Sequence, residues 1–381
     1  MPKSKAATRE KPTFCVLGAG HGGTAMAAHL ALKGYAVNLF NRSPQRIEAV
    51  AIQGGIELVG GPEAGIQGGF GPLGKVSTDA EECIRGVDVL MVVVPATAHP
   101  DIARIVGPHL REGQTVVLHP GRTGGVLDFS RALRELGVKV DISLAEAQTF
   151  IYASRATAPA QATIFRVKNT IPVAAMPAHR TVPVLRQIKQ AFRQFVPGDN
   201  CLKTGMNNIG VVFHPTITLL NAGRIESTSG NFQFYVEGVT PGVAKVLERV
   251  DAERVAVAAA LGIRAMTARE WLYIAYDAPG ATLYEAMRRQ PGYKGIMAPQ
   301  ALPGHRYLSE DVPTGLVPIA SLGRMLDVPT PTMDSLIELA NTVHECDYWK
   351  TGRTVERLGL AGMSVKEIRR FVVEATPGGE G

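Results

Sequence analysis

His214 is the side chain in this sequence best suited to moving a proton near neutral pH. It lies in the segment Leu202-Lys-Thr-Gly-Met-Asn-Asn-Ile-Gly-Val-Val-Phe-His-Pro-Thr216, where helical spacing puts Lys203, Asn207, Gly210 and His214 on one face. That face is polar within an apolar helix. Pro215 removes a backbone donor and predicts a kink beside the imidazole. A lone histidine also serves as a packing residue, so proton transfer calls for a partner. The proline-bounded segment Gly304-His-Arg-Tyr-Leu-Ser-Glu-Asp-Val-Pro-Thr-Gly-Leu-Val-Pro318 offers one. A carboxylate bonded to one imidazole nitrogen fixes the tautomer and raises proton affinity, leaving the other nitrogen free for substrate. Asp311 is the candidate carboxylate, and Arg306 the candidate for bidentate capture of a substrate carboxylate. The competing interpretation of this loop is a solvated charge cluster.

The elements that must position these groups begin at Thr13-Phe-Cys-Val-Leu-Gly-Ala-Gly-His-Gly-Gly-Thr24. Gly18, Gly20 and Gly23, with Ala19, His21 and Gly22 between them, have the spacing of a dinucleotide-binding turn. The first glycine permits the tight turn, the second a close approach of backbone to pyrophosphate, and the third close packing of helix on strand. Phosphate then meets the unpaired N–H groups of the helix N-terminus. Such a triplet is weak alone, but an apolar run precedes it and strong helix formers follow as far as Gly34. A second apolar run, Tyr35 to Phe40, completes a βαβ unit.

The end of that second strand reads Asn38-Leu-Phe-Asn-Arg-Ser43 and lacks the acid that binds a ribose 2′-hydroxyl in NAD-preferring proteins. Arg42 can pair with a 2′-phosphate, Asn41 and Ser43 offer neutral hydrogen bonds, and Arg46 follows one helical turn later. NADP(H) is therefore favoured over NAD(H). Pro95 and Ala96, after another strand, are placed to pass the middle of the cofactor. His119 and Arg122 follow a further strand and suit either ligand contact or turn stabilisation.

Strand-like runs at Asp88–Val94, Thr115–Leu118 and Val138–Leu144 continue the rhythm of a doubly wound parallel sheet, and Ala162–Val167 and Ile171–Ala175 are expected to extend it. Beyond Val182, helical spacing dominates. The fold class is thus α/β, a Rossmann-type parallel sheet over 12–182 followed by a mostly helical substrate domain over 183–376. Polar tails are expected at 1–11 and 377–381. The segment Asp277–Pro318 is long and irregular, which marks it as functional. Substrate is expected in the cleft between the domains.

The 381 residues carry 40 basic and 34 acidic side chains for a net charge of +6, with no basic run of the kind that binds nucleic acid. The longest apolar run, Val87 to Ala98, is too short to span a bilayer and contains Asp88 and Pro95, so no membrane segment is expected. Four dispersed cysteines without metal-ligand spacing imply reduced thiols, a cytoplasmic setting and no metal site. The helical half leaves room for a homodimer.

Taken together, the glycine turn, the Asn208 to His214-Pro215 segment and the Arg306-to-Pro318 segment resemble the opine dehydrogenases, the octopine/nopaline dehydrogenase family, along nearly the whole chain. The resemblance implies reduction by NAD(P)H of an imine formed between an amino acid and a 2-oxo acid. It implies His214 as the acid/base, Asp311 as its carboxylate partner and Arg306 as a carboxylate-binding residue. Asn207, Asn208, Tyr152 and Arg155 are further candidates for substrate contact, with Glu146 as a cleft residue. Tyr284, Arg288, Tyr293 and Lys294 are candidates for the amino acid's side-chain pocket, where they would recognise polar or anionic groups, with solvated loop residues as the competing interpretation. Two departures matter: His119 stands where the family often has Asn before Pro-Gly, and Lys203 has no counterpart. Lys203 and Asn207 on one face would also suit a carbonyl reductase of the ketopantoate reductase or glycerol-3-phosphate dehydrogenase type. A nucleotide-binding regulator without catalysis is the third alternative.

Overall fold

Four apolar side chains, Phe14–Leu17, form β1, and all four are fully buried. A strand covered on both faces needs such an uninterrupted apolar run, because helices pack on either side of a parallel sheet. β1 lies between β2 (Val37–Phe40) and a later strand, Val89–Val92, both parallel to it. The structure, a computed structural model, describes residues 11–61 and 64–375. The tails expected at 1–11 and 377–381 lie outside the described residues, apart from Lys11, whose ammonium donates to the Lys33 and Gly34 carbonyls at 3.2 and 3.3 Å.

The remaining strands are β3 (Gly55–Gly60), β4 (Gly69–Pro72), β5 (Val76–Ser77), β6 (Val89–Val92), β7 (Thr115–Leu118) and β8 (Ser143–Ala147). They are followed by β9 (Tyr152–Ala158), β10 (Gln161–Val167), β11 (Ile171–Met176) and β12 (Phe195–Pro197). Eight of them form the main sheet in the order β12-β11-β8-β7-β6-β1-β2-β5. It is parallel except where β11 runs antiparallel to β8. Helices cover both faces, and a mostly helical C-terminal half follows, the architecture expected from the sequence.

Three expectations are corrected. The run Ala162–Val167 is β10, and it belongs to a second sheet of order β4-β3-β10-β9. Its partners are β3, about a hundred residues earlier, and the adjacent β9. The second sheet packs over α1 (His21–Leu32), which also packs on the main sheet; that explains why α1 is apolar nearly all round. The strand expected at Val138–Leu144 begins only at Ser143. Finally, the main sheet does not stop at residue 182. Helix Thr181–Ile188 crosses back to β12, so the strand domain continues to Pro197. The last helix, Val365–Glu374, returns from the helical half to pack near β11.

Among the described residues no helix is long and apolar enough to cross a membrane, and no cluster of His, Cys, Asp or Glu could hold a metal ion.

Candidate active site

The C-terminal ends of the main-sheet strands face the helical half across a cavity of about 1010 Å³. The glycine turn forms one end of it. Gly18 has φ of +113°, and a Cβ there would lie 2.4 Å from the Val93 carbonyl oxygen. A Cβ on Gly23 would come within 1.7 Å of the Gly18 oxygen, so strand, turn and helix fit together only with glycine. Gly20 caps α1 without a side-chain hydrogen bond and has open space where a Cβ would project. The free amides of the first turn of α1 therefore face the cavity, a fit for the pyrophosphate of a dinucleotide.

Asn41 braces this turn: its Oδ1 accepts from the Ala19 N–H at 2.9 Å and its Nδ2 donates to the Ser43 carbonyl at 3.0 Å. Arg42, Ser43 and Arg46 line the cavity beside it, and the Arg42 guanidinium is 70% exposed with only Asp101 near, at 3.8 Å. His21 also lines the cavity. Its Nδ1 accepts from the Ala156 N–H of β9 at 3.0 Å, and burial together with Arg155, Arg46 and Arg306 lowers its pKa. Pro95 reaches the cavity, but Ala96 does not: it is fully buried, its N–H donates to Glu310 at 3.1 Å and its carbonyl accepts from Arg353 at 2.8 Å.

His214 stands on the opposite wall. The helix expected through residues 202–216 breaks at Asn207–Asn208 into Cys201–Met206 and Gly210–Leu220. Lys203 consequently leaves the His214 face and pairs with Asp199 at the surface, outside the cavity. Pro215 is tolerated inside the second helix, with His214 just before it. Asp311 opens a π-helical turn, Val312–Leu316, packed against that helix. π turns recur at functional sites.

The Nδ1 of His214 lies 2.9 Å from Asp311 Oδ2, and its Nε2 lies 3.0 Å from the Tyr235 hydroxyl. Tyr307 stacks on the imidazole with centroids 4.3 Å apart and planes 16° apart. Burial works to raise the pKa of Asp311, but Arg122 and His214 outweigh it and hold the carboxyl below its ordinary value. An ionised carboxylate only accepts, so Nδ1 carries a proton and the neutral ring keeps its lone pair on Nε2. Tyr235 is buried, which pushes its phenol pKa up; it stays protonated and donates to that lone pair.

Arg122 holds this arrangement from the strand side. Its Nη1 lies 3.0 Å from Asp311 Oδ1 and its Nε 3.5 Å from Glu310 Oε1. Burial opposes the guanidinium charge, and the two carboxylates override it and raise its pKa. Gly210 makes room for it: a Cβ there would meet Arg122 Nη1 at 2.7 Å. Arg122 has φ of +61°. A non-glycine residue held in that region is a strained backbone that the surroundings enforce. Beneath it, Arg353 donates to the Gly121, Thr123 and Ala96 carbonyls and to Asp128, while its own N–H bonds the Pro313 carbonyl. One buried guanidinium thus ties both strand-end loops to the π turn bearing Asp311.

The other expected residues divide. Arg306 lines the cavity, 60% exposed, with Nε and Nη2 on Glu310 Oε2 at 3.0 and 2.8 Å. Asn208 lies between Arg122 and Thr123 at 3.5 Å from each, and Asn207 accepts from the Met266 N–H at 2.9 Å. Both asparagines line the cavity, as does Arg155. Tyr152 touches the cavity with its ring but turns its hydroxyl to buried His29 at 2.8 Å. Glu146 is not a cleft residue: it is fully buried, accepting from Thr204 at 2.7 Å and the Val126 N–H at 3.0 Å, and burial pushes its pKa up to about 7. His119 is buried beside Met91, which lowers its pKa to about 3. Of the side-chain pocket candidates Tyr293 alone lines the cavity; Arg288 donates to the Val236 carbonyl at 3.2 Å, away from it. Sequence reasoning assigned no role to Tyr235, Lys168 or Arg353, which lie in runs without a distinguishing spacing.

Residues 197–344 match the family model described as NAD/NADP octopine/nopaline dehydrogenase, alpha-helical domain, and residues 13–120 match the NAD binding domain of 6-phosphogluconate dehydrogenase. The opine dehydrogenase of Arthrobacter sp. (strain 1C) is 40% identical over 363 residues, covering 95% of this chain and 99% of that one. Among solved structures, octopine dehydrogenase in complex with NADH and agmatine superposes with a TM-score of 0.80 at 20% identity, covering 97% of this chain and 100% of that one. NADP+-bound yersinopine dehydrogenase superposes with a TM-score of 0.74 at 15% identity, covering 96% and 98%. The chain belongs to the octopine/nopaline dehydrogenase family, the NAD(P)-dependent opine dehydrogenases.

Proposed function

We propose that this protein condenses an amino acid bearing an apolar or aromatic side chain with a 2-oxo acid and reduces the resulting imine, using NADPH in preference to NADH. The observation that carries the proposal is the His214 imidazole, held between Asp311 and Tyr235 with its proton-accepting nitrogen toward the same cavity that the glycine turn enters. The balanced reaction consumes the amino acid in its ammonium form, the 2-oxo acid, NAD(P)H and a proton, and yields the secondary amine in its ammonium form, NAD(P)+ and water. When bound, the dihydronicotinamide supplies the hydride.

Once the Tyr235 hydroxyl turns its hydrogen bond from His214 Nε2 to the bound substrate, Nε2 takes a proton from the donor's ammonium, freeing the amine to attack the 2-oxo carbon. The imidazolium, steadied by Asp311, then returns that proton to the carbinolamine hydroxyl as it leaves as water. Tyr235 shares the same nitrogen and is positioned to hydrogen-bond the departing oxygen. Arg306, the most exposed guanidinium of the cluster, binds a substrate carboxylate, and the aromatic lining of the cleft limits the water that would reverse imine formation.

The donor class follows from the cavity's helical wall. Phe213, Trp271, Tyr235, Tyr276 and Tyr293 line it, and the Arg166 guanidinium lies 5.5 Å from the Tyr276 ring centroid. Of the carboxylates that line the cavity, Asp101 already faces Arg42 and Arg104, and Glu310 faces Arg122 and Arg306. No unpaired carboxylate is left among the described lining residues for a guanidinium or ammonium side chain. With pyruvate as acceptor, NADPH oxidation is expected to require an added amino acid, and phenylalanine or leucine should exceed arginine by tenfold or more in kcat/KM. Turnover on pyruvate alone would contradict the reaction; arginine as the better donor would contradict the pocket.

For the cofactor, Arg42, Ser43 and Arg46 line the cavity beside the glycine turn, and the end of β2, where NAD-preferring proteins carry an acid for the 2′-hydroxyl, reads Asn41-Arg42-Ser43. Arg42→Ala is expected to raise the KM for NADPH about tenfold while moving that for NADH less than threefold, since only the 2′-phosphate distinguishes them. Equal shifts for both cofactors would contradict the assignment.

A further inference from the structure

Most of the cationic side chains close to His214 are already matched with carboxylates. Arg122 faces Asp311 and Glu310, and Arg306 faces Glu310, so this cluster is close to neutral. Lys168 differs. It lines the cavity just past β10, its N–H bonds the Ile151 carbonyl at 3.0 Å, and its ammonium donates to the Thr149 hydroxyl at 2.5 Å. Among the described residues no carboxylate lies within ion-pair distance of it. A part-buried ammonium held by one neutral hydroxyl has lost water without gaining a counter-charge.

We infer that Lys168 is the anchor for the carboxylate of the 2-oxo acid, which completes its missing ion pair on binding. This rests on the two-substrate reading above. The carbon that receives the hydride is the 2-oxo carbon, and its carboxylate is directly attached. That carbon must lie over the nicotinamide, which a doubly wound sheet places at the carboxyl ends of its strands. Gln148, Thr149 and Phe150 line the cavity immediately after β8, and Lys168 is fastened to this segment. The aromatic wall that suits the donor's side chain belongs to the helical half and is met from this side by Arg166, which lies 5.5 Å from the Tyr276 ring centroid, whereas Lys168 bonds Thr149. Lys168 is therefore on the acceptor's side.

The electrostatics agree. Burial first, and then the Arg122 charge, lower the Lys168 pKa to about 7. Arg122 is the charged group that acts on it; Gln148, Thr149 and Phe150 are neutral, and buried His119 is uncharged at neutral pH. A carboxylate arriving beside the amine favours its protonated form, so acceptor binding and proton uptake are linked.

The test compares the parent with Lys168→Met and Lys168→Arg, all loaded with NADPH. Its probes are oxamate, a carboxylate that mimics pyruvate without condensing, and steady-state kinetics with pyruvate and phenylalanine. Lys168→Met is expected to weaken oxamate binding and raise the pyruvate KM tenfold or more, with the phenylalanine KM within twofold; Lys168→Arg should restore most of the loss. In the parent, oxamate affinity should fall about tenfold or more between about pH 6 and about pH 9 as the amine loses its proton. In Lys168→Arg, whose guanidinium keeps its charge, that fall should disappear, which decides the matter even if Lys168→Met fails to fold. Unchanged oxamate affinity in Lys168→Met, a rise confined to phenylalanine, an equal rise in both KM values, or the same pH dependence in the parent and Lys168→Arg overturns the assignment. A parent that turns over pyruvate without amine overturns the two-substrate reading instead, and oxamate binding still reports on Lys168.

Discussion

Asp311→Asn is expected to lower kcat by about three orders of magnitude, some 4 kcal/mol of transition-state stabilisation. The carboxylate does two things that an amide cannot. It accepts the Nδ1 proton at 2.9 Å, keeping the lone pair on Nε2, and it supplies the charge that steadies the imidazolium. An asparagine can present its NH2 group to Nδ1, which moves the ring proton to Nε2 and leaves His214 unable to accept one from the donor. Arg122 would also lose its 3.0 Å partner while remaining buried. NADPH binding, which depends on the distant glycine turn, should stay within threefold of the parent. Turnover within tenfold of the parent would show that the tautomer is not what Asp311 provides.

His214→Gln should cost about 10²- to 10⁴-fold in kcat, the range expected for loss of a positioned acid–base group. Glutamine keeps polar contact with Asp311 or Tyr235 and fills similar volume, so the loss is of proton transfer rather than of packing alone. A pH series separates the two. If His214 deprotonates the donor's ammonium, the residual rate of the variant should climb as solvent removes that proton instead, continuing upward toward the amine's own pKa. A residual rate that stays flat with pH would mean that His214 serves a later step or only the shape of the site.

The parts of the site visible in the sequence are those with local signatures. The glycine turn announces itself by spacing, and the structure confirms its need for glycine through contacts as short as 1.7 Å for an added Cβ. His214 stands out because it lies on the polar face of an otherwise apolar helix just before Pro215, and Asp311 because it sits in a proline-bounded polar loop; the structure brings them together from 97 residues apart. Lys203 misled because period alone cannot reveal where a helix breaks: Asn207 and Asn208 spend their side chains on Met266, Arg122 and Thr123, and the chain turns there. Arg122 was visible as a loop residue, but its role depends on Asp311 and Glu310 arriving from another domain. β10 looked like one more strand of the main sheet because alternation does not name a partner; pairing with β3 is set by the whole fold. Lys168 is intelligible only once that second sheet exists. Arg306 was correctly placed at the cavity, yet its first partner is Glu310, an acid that the sequence left without a role.

The central claim is that hydride reaches a C=N carbon assembled from two substrates at His214. The most direct measurement is mass spectrometry of the product formed from pyruvate, phenylalanine and NADPH deuterated at the transferable position. The expected product is a secondary amine whose mass is that of the two substrates less water plus one hydrogen and one deuterium, with the deuterium on the carbon contributed by pyruvate. Deuterium recovered in lactate, with phenylalanine unconsumed, would contradict it.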